Sequence, residues 1–127
     1  MDTVTVYRVE QPDGSGPYFD RYGAYRWDDR LERMRSDHSD EAHPSPRQDP
    51  MLETIDIYEQ SCFESLEQLT KWFKGWMVRL AEEGYAVSEY SVQQGLVRYG
   101  EHQAVVYAKK ARYVRSLSLL NIVTRKA

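Results

Sequence analysis

The chain has 127 residues, of which 41% are hydrophobic and 29% charged, and its net charge is −3 at neutral pH. This length suits a single domain, residues 1–127, that builds a hydrophobic core without disulfides or metal ions. No apolar run approaches the ~18 residues of a membrane span, no signal peptide is evident and Cys62 is the lone cysteine, so we expect a cytoplasmic protein.

The first third of the chain predicts a strand, a loop and a helix, in that order. Residues 3–9 are rich in β-branched and aromatic side chains, which favour a strand. Residues 11–17 are dense in turn-forming types and predict a loop. Within residues 20–36, apolar side chains recur at helical spacing, which predicts a helix of modest length.

A polar segment follows at residues 36–50, with three prolines and the histidines His38 and His43. This composition predicts a long loop with no element of its own, and loops of this length in compact domains are usually functional or disordered. The prolines fix several φ angles and therefore favour an ordered, extended path. We expect a short strand to follow at residues 54–58.

The clearest element in the sequence is a helix over residues 66–83. Ser65 and Gln68 fit a capping box, in which Ser65 caps the helix and Gln68 reaches back to Ser65. Apolar residues then recur every three or four positions on one helix face. Gly84 is placed for a left-handed C-terminal cap.

The last third of the chain has the period of strands. Residues 85–92, 96–99, 103–108 and 112–123 predict three or four antiparallel strands in a meander. Together with the earlier elements they predict an α+β fold, with antiparallel sheet and two main helices.

Charge is distributed unevenly along the chain. Residues 104–127 contain six basic residues and no acidic residue, so residues 1–103 hold all 20 acids against 11 basic residues. The basic end predicts either a solvated strand face or a surface that meets phosphate. Basic residues interleaved with tyrosines are also typical of single-stranded nucleic-acid sites, which would here use Lys109, Lys110, Arg112 and Arg115.

Several familiar catalytic motifs are absent from the sequence. The three histidines and Cys62 lack zinc-type spacing, and there is no HExxH motif or acidic calcium loop. Gly14-Ser15-Gly16 is neither a Walker loop nor a Rossmann loop. The sequence therefore predicts no metal site and no complete catalytic set, and it leaves open whether the chain is an enzyme.

Three polar positions form a different pattern. Arg8 lies inside the first strand, Phe63-Glu64-Ser65 leads into the main helix, and Gln103 opens a late apolar strand. This order resembles the ADP-ribosyltransferase-like fold, whose sites combine a basic residue on the first strand, a hydroxyl before a helix, and a late glutamate. The resemblance implies NAD as a cofactor, bound by Arg8, Ser65, Gln103 and His43. Because glutamine carries no charge, it implies binding without full transferase activity.

Two of these residues also have structural alternatives. An arginine between apolar residues of a strand commonly forms an ion pair, and Arg8 has Glu10 and Asp13 nearby in sequence. Ser65 is fully explained as a helix cap. Which face of the first strand is buried depends on a register that the sequence does not give.

A second resemblance covers most of the chain. Residues 7–10, 16–18, 43–46 and 63–73, together with the Gln103 strand, are similar to segments of small uncharacterised bacteriophage proteins. This resemblance implies a phage accessory protein that binds and modulates a host protein or a defence protein, as anti-CRISPR inhibitors do.

One aromatic segment is a candidate surface for such a partner. Tyrosine, tryptophan and arginine are the side chains that most often anchor interfaces. They crowd residues 18–27, as Tyr18, Tyr22, Tyr25, Arg26 and Trp27. The alternative is that Trp27 and two of the tyrosines pack the first helix onto the sheet.

Overall fold

The computed structural model describes residues 2–19, 22, 24–26, 30–49, 52 and 59–126. The strand expected at residues 54–58 and the partner-binding role of Trp27 fall outside these residues. The described elements are β1 Thr3–Glu10, α1 Glu32–Asp37, β2 Glu59–Cys62, α2 Leu66–Trp72, α3 Met77–Glu82, β3 Ala86–Gln93, β4 Val97–Tyr99, β5 Ala104–Tyr107, β6 Arg112–Leu117 and α4 Leu119–Lys126. Single-turn 3-10 helices lie at Pro46–Gln48, Gln94–Leu96 and Ala108–Lys110.

The described strands form two three-stranded antiparallel sheets, a first sheet in the order β1-β3-β6 and a second sheet in the order β2-β5-β4. Backbone hydrogen bonds run both ways between Tyr7 and Phe63, at 2.9 and 2.8 Å, and join β1 to the end of β2. The predicted α+β class with antiparallel sheets is confirmed. The predicted meander is wrong, because β3 and β4 follow each other in the chain but belong to different sheets.

Alternation along β1 separates two hydrophobic cores. Tyr7 and Val9 pack with the helices in the first core. Val6 packs between the two sheets in the second core, with residues of β3, β4 and β5. Arg8 and Glu10 continue the Val6 face past the end of the second core, so the polar end of β1 points between the sheets.

The predicted helix at residues 66–83 is divided into α2 and α3. Gly75 lies in the break with a φ of 86°, a left-handed conformation that interrupts the helix and that glycine adopts without a Cβ clash. The apolar spacing runs through the break, because α2 and α3 bury side chains in the same core. The predicted cap is confirmed, since Gly84 also has a φ of 86°.

The start of α2 largely matches the capping prediction. Ser65 Oγ accepts a hydrogen bond from the Gln68 backbone N–H at 3.0 Å. The Gln68 side chain accepts from the backbone N–H of Glu64 at 2.9 Å, one residue before the predicted partner. Ser65 therefore has a complete structural role as a helix cap.

Three other predictions differ from the structure at their boundaries. In the described part of residues 20–36, the helix is α1, which begins at Glu32. The loop at residues 36–50 contains the 3-10 turn Pro46–Gln48, where Pro46 suits the first position. The strand predicted over residues 112–123 ends at Leu117, and α4 follows. The β-branched composition of this end hid the helical spacing of Leu119 and Ile122, which are both buried.

Candidate functional site

A cleft of about 1010 Å³ opens where the second core ends. Its floor includes Arg8 of β1, Ser61 of β2 and Gln103, which immediately precedes β5. The loop at residues 13–19 and the loop at residues 38–48 contribute to its walls. The volume is at the upper end of the range found for small-molecule sites.

Gln103 is 1% exposed at the base of this cleft. Its Oε1 accepts a hydrogen bond from Ser61 Oγ at 2.5 Å, and its Nε2 donates to the Pro44 carbonyl oxygen at 2.6 Å. An amide supplies both the acceptor and the donor, whereas a carboxylate supplies acceptors alone. Gln103 thus ties the start of β5 to both β2 and the loop at residues 38–48.

Arg8 is held in place on the floor of the cleft. Its Nη1 donates to Glu10 at 3.0 Å, and its Nε donates to the Ser61 carbonyl oxygen at 3.1 Å. Glu10 also accepts from the Tyr90 hydroxyl. The ion pair offered as an alternative for Arg8 is present, yet Arg8 also lines the cleft. The ion pair is compatible with a place in the cleft lining, because Glu10 orients the Arg8 guanidinium at the edge of the cleft.

Ser61 lines the cleft, although no sequence motif predicts it as a site residue. Its carbonyl oxygen accepts a hydrogen bond from Arg8 Nε, and its hydroxyl donates one to Gln103 Oε1. Ser61 therefore connects the two sheets across the cleft floor. Ser65, chosen from the sequence, caps α2 and is not among the cleft-lining residues. The sequence offered one usable signal: Ser61 is the hydroxyl residue on the strand itself, whereas Ser65 lies after it.

Two stacked histidines form part of the cleft wall. The rings of His38 and His43 lie parallel within 7°, with their centroids 3.9 Å apart. Trp72 Nε1 donates to the Tyr18 hydroxyl at 2.9 Å, and that hydroxyl lies 2.5 Å from His38 Nδ1. We infer that Tyr18 donates its own proton to His38. Burial, with His43 next in effect, lowers the pKa of His38 to about 4, so its ring is neutral at neutral pH.

His43 fastens the loop at residues 38–48 to the end of α2. Its Nε2 lies 2.7 Å from the Trp72 carbonyl oxygen, and its Nδ1 lies 2.7 Å from Asp40 Oδ1. Both partners are hydrogen-bond acceptors. The hydrogen bond from His43 lowers the pKa of Asp40. The structure therefore places His43 in the cleft wall, as a residue that holds the loop.

Two residues of the predicted partner surface are used inside the fold. Tyr18 packs into the cleft wall, where its ring stacks 6.4 Å from Phe73. Arg26 Nη1 donates to Gln11 Oε1 at 2.9 Å and to the Tyr85 hydroxyl at 3.0 Å. These contacts hold the loop at residues 11–19 against the start of β3.

The other two tyrosines of that surface are exposed, and one of them, Tyr25, lines the cleft. Tyr22 is 78% exposed and Tyr25 is 40% exposed. Phe19, which is not among the predicted partner residues, is 54% exposed and contacts Tyr25 edge to face, with the ring centroids 5.6 Å apart. We refer to Phe19, Tyr22 and Tyr25 as the entrance aromatics; Phe19 and Tyr25 also line the cleft.

The described residues provide no metal site, no reactive cysteine thiol and no membrane-spanning helix. Within them, no three His, Cys, Asp or Glu side chains are grouped to hold a metal ion. Burial raises the pKa of the Cys62 thiol to about 12, so a reactive thiolate does not form near neutral pH. Among the same residues, no helix has the length and apolar character to cross a membrane.

Comparison with known proteins gives one informative finding. A family model described as "Bacteriophage T4 Y00F protein" matches residues 1–120. No curated protein and no solved structure matches the chain. The expected bacteriophage origin is confirmed by the family match, whereas the resemblance to the ADP-ribosyltransferase-like fold stays a prediction.

Proposed function

The chain belongs to the bacteriophage T4 Y00F protein family, and we propose that it holds a nucleotide-class ligand such as NAD in the cleft between its two sheets. The observation that carries this proposal is the hydrogen-bonded path Arg8–Ser61–Gln103, which crosses the cleft floor from the first sheet to the second. It brings together two of the polar positions that resemble an ADP-ribosyltransferase-like site. The hydroxyl group of that pattern comes from Ser61, whereas the predicted Ser65 caps α2.

The cleft offers a charged contact and a stacking contact. Within the described residues, the hydrogen bonds of Arg8 use its Nε and Nη1, so Nη2 is left for an anionic oxygen of the ligand. At the entrance, the crossed rings of Phe19 and Tyr25 present aromatic surface to a base. A nucleotide carries both complementary groups, a phosphate and an aromatic base.

The same floor does not suit ADP-ribosyl transfer. Gln103 stands where the resemblance expects a glutamate, and both ends of its amide are already bonded, to Ser61 and to Pro44. An amide does not supply the negative charge that stabilises a cationic ribose. We therefore propose binding without transfer, with Gln103 as a structural residue of the site.

Arg8→Gln should abolish the stabilisation of this protein by NAD. NAD at about 100 times its Kd adds about 2.7 kcal/mol to the free energy of unfolding, which is several degrees in Tm. The substitution removes the charged contact, together with the hydrogen bonds from Arg8 to Glu10 and to the Ser61 carbonyl oxygen. Thermal unfolding with and without NAD measures the effect.

Arg98→Gln is the matched control for that experiment. It breaks another strand ion pair, between Arg98 and Glu59 at 2.6 Å; Glu59 lines the cleft but Arg98 does not, so this substitution removes no cation from the cleft. It should lower Tm yet keep the NAD-dependent rise. An equal NAD-dependent rise in Tm in Arg8→Gln and Arg98→Gln would show that the ligand binds elsewhere. No rise in Tm in the wild type would show that NAD is not the ligand.

A second candidate function is binding of a host protein or of a defence protein, such as a CRISPR complex, through the entrance aromatics. The rings of Phe19 and Tyr25 contact each other edge to face, and Tyr22, which lies between them in the sequence, is 78% exposed. Exposed aromatic side chains held in a fixed arrangement are typical interface anchors. In this alternative the chain is an accessory protein that modulates its partner by contact.

Replacing Phe19 and Tyr22 together by serine should weaken such a complex by 30-fold or more, because truncating one hot-spot residue costs about 2 kcal/mol. Size-exclusion chromatography with purified host and defence complexes measures the association. Tyr113→Ser is the control, since Tyr113 is an exposed tyrosine on β6 and is not among the cleft-lining residues. A complex that survives the double substitution would contradict this alternative.

A further inference from the structure

Strand β6 forms an exposed basic edge of the first sheet. The order β1-β3-β6 places it at the sheet margin. Its residues 112–116 are all exposed, and the 3-10 turn before it exposes Lys109 and Lys110. The last acidic residue of the sequence is Glu101. We refer to Lys109, Lys110, Arg112 and Arg115 as the basic edge.

The pairing of β6 with β3 fixes where these side chains lie. Arg112 and Arg115 pair with β3 residues two positions apart, so their side chains lie on one face of the sheet. Arg115 also bonds to Glu89 at 3.2 Å, which fixes its position. Tyr113 pairs with Tyr90 and lies on the opposite face. The edge therefore presents cationic groups on one face and an aromatic ring on the other.

The edge is poorly suited to pairing with another strand. The register with β3 shifts between Glu89 and Tyr90, which leaves Val114 as the extra residue of a β-bulge. A bulge and basic side chains are the devices by which sheet edges block strand addition. A second copy of the chain would meet both obstacles, and an acidic peptide added as a strand would meet the bulge. Recognition at this edge therefore depends on side chains rather than on backbone hydrogen bonds.

We propose that the basic edge binds single-stranded nucleic acid, independently of the cleft. Four cations within residues 109–115 complement a phosphate backbone. Tyr113 is 51% exposed, and Tyr90 supports it at a centroid distance of 5.9 Å with the rings 75° apart. A ring fixed in this way offers a stacking surface to an unpaired base. Residues 1–103, with 20 acids against 11 basic residues, repel a polyanion and confine it to this edge.

Fluorescence anisotropy with a short labelled oligothymidylate tests the proposal. Three or four phosphate contacts predict that log K falls with log salt at a slope of about −2 to −3. Lys110→Gln combined with Arg112→Gln should make the slope shallower by about 1.4, because each contact contributes about 0.7. Tyr113→Ala should weaken binding about tenfold with an unchanged slope, because stacking carries no charge. The control, Lys71→Gln with Lys74→Gln, alters exposed lysines of the helical layer and should change neither quantity.

Three results would overturn the proposal. The first is no binding of the oligothymidylate at about 50 mM salt. The second is binding that Tyr113→Ala leaves unchanged and that polyglutamate competes away, which would indicate a surface for acidic polypeptides. The third is tighter binding of a duplex of the same length.

Discussion

Replacing Gln103 by glutamate should lower the free energy of unfolding by about 3 kcal/mol at neutral pH, the cost of an uncompensated buried charge. The carboxylate still accepts from Ser61, but it does not donate to the Pro44 carbonyl oxygen, which it would face at the 2.6 Å now spanned by a hydrogen bond. Two acceptors at that distance repel each other inside a buried site. Urea-induced unfolding measures the loss.

Gln103→Met is the matched control, because it keeps the length of the side chain and adds no charge. It leaves the Ser61 hydroxyl and the Pro44 carbonyl without this partner, at a cost of about 1–2 kcal/mol. Burial raises the pKa of the carboxyl group introduced by Gln103→Glu, so the extra penalty of that substitution should disappear as pH falls and the protonated acid regains a donor. A Gln103→Glu variant as stable as the wild type would show that the amide is not a structural requirement.

Gly100→Ala should destabilise the protein by about 2 kcal/mol through overpacking. A Cβ added at Gly100 would lie 2.5 Å from Asp49 Cγ. Asp49 is 1% exposed, and its carboxylate accepts the backbone N–H groups of Glu101 at 2.5 Å and His102 at 3.0 Å. The carboxylate therefore cannot move away from the added Cβ and keep these hydrogen bonds. The same bonds fasten the loop before Asp49 to the turn between β4 and β5.

A double-mutant cycle separates this contact from a general effect of alanine. Asp49→Ala should itself cost about 2 kcal/mol, from lost hydrogen bonds to a charged group. In the double variant, Gly100→Ala should add little, because the atoms it would meet are gone. Gly95→Ala is the control, since nothing lies within 4 Å of its added Cβ, and should change stability by less than about 0.5 kcal/mol. Additive effects of the Gly100 and Asp49 substitutions would contradict this account.

The features that the sequence predicts well are those set by local chemistry. Ser65 caps α2 because its hydroxyl reaches a backbone N–H three residues later, and Gly84 ends α3 because glycine tolerates a positive φ. The break at Gly75 is hidden, because helices on both sides of it bury apolar residues in one core. An apolar period reports which residues are buried, and it does not report the continuity of the backbone.

The candidate site was only partly predictable, because its contacts are distant in sequence. The sequence predicts Arg8 and Gln103 as polar side chains on strands, and the fold brings both to the cleft. The residue that links them, Ser61, depends on the pairing of β2 with β5 and on the bridge between Tyr7 and Phe63, neither of which leaves a local pattern. The second bond of Gln103, to Pro44, likewise spans 59 positions along the chain.

We propose that the floor of the cleft binds a nucleotide and does not transfer its ADP-ribose group. An NMR titration of the labelled protein with NAD distinguishes this proposal from its alternatives. We expect saturable chemical-shift changes at the Arg8 side chain, at Ser61 and at Phe19, with the NAD recovered intact. Shifts confined to residues outside the cleft, no shift at millimolar NAD, or the appearance of free or attached ADP-ribose would contradict it.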